Sequence, residues 1–176
     1  TPFSATSRSP GRIPARSAGL PRRVLTIIEG ETFTFRDVRI TAVAARHLAG
    51  IPGWEVPDAV GLLIETEGLR IYHTGDTEYD LRLRALAYDK ERPIDVMMAV
   101  INGTGGNMNA HEAALLAWHI KPRVLIPMHH ILWKDPAASE QATLDPALLV
   151  DTYRRLGGSG EVWLPAVGEG IEFSAA

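Results

Sequence analysis

Short runs in which apolar and polar positions alternate fill the first half of the chain, and apolar blocks with helical spacing follow. Val24–Ile28 is a β-branched run that stops at Glu29-Gly30, and Thr32–Phe35 alternates, with Phe33 and Phe35 on one face. Asp37 leads into Val38–Ala44, where Val38, Ile40 and Ala42 share a face, and this strand runs toward His47. Gly50, Pro52, Gly53 and Pro57 make Leu48–Asp58 a loop. Val60–Thr66 and Leu69–His73 form a hairpin around Glu67-Gly68. Gly75-Asp76-Thr77 ends its second strand, and Tyr79–Asp89 reads as a helix with Leu81, Ala85 and Tyr88 at helical spacing.

Ile94–Ile101 is nearly continuous apolar, as a strand buried on both faces is, and opens into the glycine-rich loop Asn102–Asn107. Asn109 caps a helix through Trp118, with Glu112 three positions on as in a capping box, and Lys121-Pro122 stops it. Val124–Ile126 is a second buried strand, ending in Pro127-Met128-His129-His130. Asp145 as N-cap and Pro146 at the first helical position start another helix, which Gly157-Gly158 ends. Glu161–Leu164 and Gly170–Phe173 finish as short strands. Hairpins followed by strand–helix–strand alternation indicate a layered α/β domain.

The charge is uneven. Five arginines and no acid occur among the first 23 residues, while the remainder holds 13 Lys and Arg against 21 acids, a balance of −8. Residues 1–22 therefore read as an irregular Arg/Ser/Pro-rich extension and 23–176 as the domain. A transit peptide is the other reading of such a leader, but no amphipathic apolar face accompanies the arginines. The acidic body argues against a nucleic-acid surface, and no apolar run approaches the ~20 residues that span a bilayer. With no cysteine, disulfides and thiolate metal sites are excluded, and a reducing, cytoplasmic location is the expectation.

Candidate chemistry lies in polar loops after strand ends. In open α/β sheets ligands bind beyond the carboxyl ends of strands, which places His47, Asp76 and His129 on one rim. Neutral imidazole and carboxylate are suitable ligands for zinc, manganese or iron. Each residue also has a plainer explanation: turn chemistry for Asp76, packing for His73, and a favourable place against the helix dipole for His119. His129 and His130 are neighbours on a strand, so only one of them faces a shared site. The loop Gly103–Asn107 is either an anion-binding nest of backbone N–H groups or a simple connection.

Val38–His47 (VRITAVAARH), Gly61–Thr77 (GLLIETEGLRIYHTGDT), Asn102–Met108 (NGTGGNM) and Val124–His129 (VLIPMH) together resemble the metallo-β-lactamase fold. More narrowly they resemble the ascorbate-6-phosphate lactonase-like branch of metal-dependent hydrolases. The resemblance covers about Pro21 to Phe173 and implies an α/β, metallo-β-lactamase-like αββα sandwich, incomplete at the amino-terminal side. In that fold two metals are held by a His-x-His-x-Asp-His loop, a later His, a bridging Asp and a final His. By resemblance His47 is the later His, Asp76 the bridging and catalytic carboxylate, and His129 the final His. His73, His111, His119 and His130 match no ligand position.

No His-x-His-x-Asp-His occurs in the sequence, and no histidine precedes His47. The chain thus reads as the carboxyl-terminal part of a hydrolase, weak or inactive alone. The resemblance implies two divalent ions, zinc or manganese, and attack on a small ester, lactone or phosphorylated metabolite. The other reading is a non-catalytic remnant or an interaction half. Expected partners are a small-molecule substrate, and a second copy or a complementing amino-terminal part, with neither nucleic acid nor membrane.

Overall fold

Alternation, tight turns and buried runs assemble one large mixed sheet. The structure is a computed structural model, and it describes residues 26–48, 55–56, 58–89, 92–130, 145–166 and 168–173. The expected extension 1–22 lies outside the described residues, as does most of the loop 48–58. Strands β1 (Thr32–Phe35), β2 (Val38–Ala44), β5 (Val60–Thr66), β6 (Leu69–His73), β7 (Val96–Val100), β8 (Val124–Met128) and β9 (Glu161–Val162) lie in that spatial order. The short β3 (His47–Leu48) and β4 (Glu55–Val56) pair separately. The hairpin β5–β6 turns as expected: Glu67 and Gly68 both have positive φ, 47° and 80°, the backbone of a tight hairpin loop.

Helices α1 (Ala110–Ile120) and α2 (Pro146–Arg155) and a 3₁₀ helix (Leu81–Tyr88) cover one face of the sheet. Leu63, Tyr72, Met97 and Leu125 are register partners on successive strands and form a buried row under them. Leu116, Leu149 and Tyr153 pack down from the helices. The capping box on α1 is present, with Asn109 accepting from the His111 and Glu112 N–H groups and the Glu112 carboxylate accepting from the Asn109 N–H. Asp145 and Pro146 start α2 as read from the sequence.

Topology fixes where the chemistry sits. β6, β7 and β8 are parallel, and β2 is antiparallel to β5, itself antiparallel to β6. The carboxyl ends of β2, β6, β7 and β8 therefore open on the same rim, the location that suits a ligand site in such sheets.

Four expectations need correction. Residues 26–28 are not a strand, and 24–25 lie outside the described residues. The segment after Asp80 is a 3₁₀ helix whose buried side is Leu83 with Leu86 and Ala87, whereas Leu81 is 68% exposed. β2 ends at Ala44 as read from the sequence, but the expected loop Leu48–Asp58 contains strand residues, because the chain leaves the sheet at Ala45-Arg46 and β3 (His47–Leu48) pairs with β4 (Glu55–Val56). β9 stops at Val162 and residues 170–173 form no strand. The reason for the short β9 is Pro127: Trp163 N–H donates to Leu125 O, but the next donor in the ladder would be the missing N–H of Pro127.

Candidate metal centre

Three rim loops are tied by hydrogen bonds before any functional side chain is considered. Arg46 N–H donates to the fully buried Thr77 Oγ1 (2.9 Å), and Arg46 O accepts from Glu78 N–H (2.7 Å). Thr77 O accepts from Met108 N–H (2.7 Å), which binds the glycine loop to the same turn. Ile101 N–H reaches Met128 O (3.2 Å), fastening the exits of β7 and β8. Gly75 turns the chain with φ +65°, and a β-carbon there would stand 2.5 Å from Val60 O, so only glycine fits before Asp76.

This frame brings Asp76 and His129 together. Asp76 Oδ1 lies 3.4 Å from His129 Nδ1, and the two side chains are 48% and 28% exposed. His129 adopts a left-handed backbone, φ 62°, at the end of β8. A non-glycine residue in this region carries strain of about 1–3 kcal/mol, and such strain concentrates at functional sites. The conformation separates it from His130, whose half-buried ring lies below the ordinary imidazole value: burial lowers it, opposed by the Pro127 backbone and the Asp145 charge.

His47 reaches the same loop by a different route. Its Nδ1 donates to Gly106 O (3.2 Å), which leaves the Nε2 lone pair of the neutral ring available. The next residue, Asn107, has its Nδ2 3.5 Å from His129 Nδ1. The Gly106-Asn107 step thus stands between the two imidazoles. Among the described residues, no three His, Asp or Glu side chains converge closely enough to hold one ion together. Asp76 and His129 meet, and His47 is a neighbour through the loop.

The remaining histidines have structural roles. His73 Nδ1 accepts the Gly75 N–H (3.0 Å), and burial holds its ring below the ordinary value although the Asp76 charge pulls the other way. His111 Nδ1 bonds Thr152 Oγ1 (2.7 Å), joining α1 to α2, and His119 ends α1. The glycine loop spends two of its N–H groups on itself, Gly103 to Met108 O and Asn107 to Thr104 O, which reduces what it offers an anion.

The spacing at Asp76 suits a cation. Two donors each about 2.0–2.1 Å from a tetrahedral ion stand about 3.3–3.4 Å apart, whereas an N–H···O bond is about 2.7–3.2 Å. The observed 3.4 Å agrees with the first, and it is also the length of the ordinary Arg82–Glu29 ion pair, so the donor types at this position carry the case. Carboxylate and imidazole are the donor types a divalent zinc or manganese ion takes. The fit is that of a partial ligand set. An open cleft of about 470 Å³ lies beside His47, lined by Arg46, His47, Asp58, Val60, Asp80 and Arg82, and neither Asp76 nor His129 is among its lining residues.

Sequence reasoning missed Thr77 and Asn107. Thr77 follows the aspartate in a run that reads as turn chemistry, and its buried hydroxyl is visible only once β2 and the β6 turn are adjacent. Asn107 ends a glycine-rich loop, a place where asparagine needs no function.

Residues 14–129 match the beta-lactamase superfamily domain. The chain is 36% identical over 107 residues to the UPF0173 metal-dependent hydrolase of Pyrococcus furiosus, covering 60% of this chain and 46% of that protein. It is 32% identical over 136 residues to a UPF0173 metal-dependent hydrolase of Thermococcus onnurineus, covering 77% and 55%. The chain spans about half the length of these relatives. Among solved structures, the metallo hydrolase Igni18 of Ignicoccus hospitalis shares the fold with TM-score 0.69 at 19% identity, over 86% of this chain and 61% of that one. The metallo-beta-lactamase fold protein YhfI of Bacillus subtilis does so with TM-score 0.59 at 18% identity, over 80% and 52%. The mixed sheet, its helices and these matches agree: the chain belongs to the metallo-β-lactamase superfamily and has its α/β fold.

Proposed function

We propose that this chain is part of a metal-dependent hydrolase acting on a small ester, lactone or phosphorylated metabolite, of the lactonase-like kind. The observation that carries the reading is the 3.4 Å approach of Asp76 Oδ1 to His129 Nδ1 on a rim where four strand ends meet. Asp76 and His129 would hold a divalent ion, and His47 would offer its Nε2 to a second. Either ion, when bound, would supply Lewis acidity, and zinc lowers the pKa of its bound water to about 7. Asp76 contributes negative charge that concentrates cations at the rim, and Gly106 fixes the His47 ring through its Nδ1 proton. The cleft beside His47, about 470 Å³, is in the size range of small-molecule sites. A complementing amino-terminal part, in a longer chain or a partner, supplies the further ligands that a catalytic ion requires.

The test is Asp76→Asn in a protein that includes the complementing part. Turnover of a panel of lactones, carboxylic esters and phosphomonoesters should vanish while circular dichroism is preserved. Unchanged turnover would overturn the assignment.

A further inference from the structure

We propose that the Asn107 carboxamide is a third donor of the cation site, acting with Asp76 Oδ1 and His129 Nδ1. The inference rests on the reading that these two residues hold an ion, and it adds a ligand that is neither histidine nor acid. Two polar side-chain ends approach the same imidazole nitrogen: Asp76 Oδ1 lies 3.4 Å and Asn107 Nδ2 3.5 Å from His129 Nδ1. Both separations are too long for good hydrogen bonds, and both are close to the ~3.3–3.4 Å edge between donors sharing one tetrahedral ion.

The amide can present oxygen where nitrogen now stands. Its two ends are nearly equal in shape, so a half-turn about the side chain exchanges them. Among the described residues Asn107 Oδ1 is buried without a hydrogen-bond partner in its present orientation, so no bond at that end opposes the turn. Among the described residues the other end is held only by the 3.5 Å contact. A cation repels the N–H end and attracts the carbonyl end, and therefore selects the turned form.

The backbone is positioned for this role. Asn107 N–H donates to Thr104 O (3.2 Å), Met108 N–H to Thr77 O (2.7 Å), and Met108 itself is fully buried. The side chain thus starts from an anchored point on the rim and not from a free loop tip, as a ligand must. Two oxygens and one imidazole nitrogen form a hard-to-borderline donor set, suited to manganese(II) or zinc(II) and poorly suited to copper(I).

The experiment is manganese(II) binding by the full 176-residue chain, read by the loss of the free-ion electron paramagnetic resonance signal, with thermal unfolding of each metal-free protein alongside. Asn107→Ala is expected to weaken binding about tenfold or more. Asn107→Asp is expected to tighten it about tenfold while lowering the metal-free Tm, since a second carboxylate then faces Asp76 without a counter-ion. The loss in Asn107→Ala is what marks the ligand, because a new carboxylate beside Asp76 attracts a cation whatever the native amide does. If the alanine variant does not fold, Asn107→Leu, of nearly the same size and without a donor atom, takes its place. Manganese binding left unchanged by removal of the amide overturns the role of Asn107 alone. No binding by the wild-type chain at millimolar manganese overturns the cation site, and this ligand with it.

Discussion

Replacing Gly75 with alanine tests whether the turn before Asp76 is set by sterics. Two costs add at this position. A β-carbon in the left-handed region costs about 1–2 kcal/mol. The new atom would also lie 2.5 Å from Val60 O, where ordinary contact begins near 3.4 Å, so the strand end must yield by roughly 1 Å. Overpacking of this kind costs about 1–3 kcal/mol. The sum is about 3 kcal/mol. Gly30 is the control, because its φ of +88° is equally left-handed but nothing lies within 4 Å of the position a β-carbon would take. Gly30→Ala should therefore cost only about 1 kcal/mol. In urea, with m of about 2 kcal/mol/M, the midpoints should fall by about 1.5 M and 0.5 M respectively. The displacement passes directly to Asp76, so Gly75→Ala should also weaken divalent-ion binding while Gly30→Ala should not. Equal midpoint shifts in the two variants would refute the steric argument.

Two further outcomes are expected. Tyr72 is fully buried, its hydroxyl has no hydrogen-bond partner among the described residues, and burial pushes the phenol far above its usual value. Tyr72→Phe removes an unpaired polar group and should raise stability by about 1 kcal/mol, and a loss of that size in urea titration would count against it. His73 has its folded value depressed by burial, so the unfolded chain binds the proton more readily. Stability should be at its full level above about pH 6.5 and fall as pH drops toward the folded value. His73→Gln should flatten that slope between about pH 7.5 and 5, and a profile as steep as the wild type would show that another group causes it.

The local signals in the sequence were strongest where one residue type has one physical use. Glu67-Gly68 marked the hairpin loop, Asn109 with Glu112 the start of α1, and Asp145-Pro146 the start of α2, each at its observed place. Signals failed where tertiary geometry decides. The Leu81, Ala85, Tyr88 spacing did not reveal that Leu83 is the residue the sheet buries. A β-branched run did not make residues 26–28 a strand, and the stop of β9 depends on Pro127, a proline on the neighbouring strand. At the rim, sheet topology brought Asp76 to His129 as their positions at strand ends implied, while His47 turned onto Gly106. That turn, and the place of Asn107, depend on how a glycine loop folds back, which no periodicity encodes.

The Thr77 tie has an evolutionary consequence. Arg46 and Glu78 enter it through main-chain atoms, and their side chains meet only in an exposed ion pair (3.7 Å) that adds little stability, so the two can vary without moving the carboxylate beside them. The hydroxyl of Thr77 is different: it accepts one main-chain proton and donates its own to Glu78 O, and a valine of the same outline would do neither. Variation around this rim should therefore be tolerated in charge and size at its flanks and resisted at a single oxygen atom.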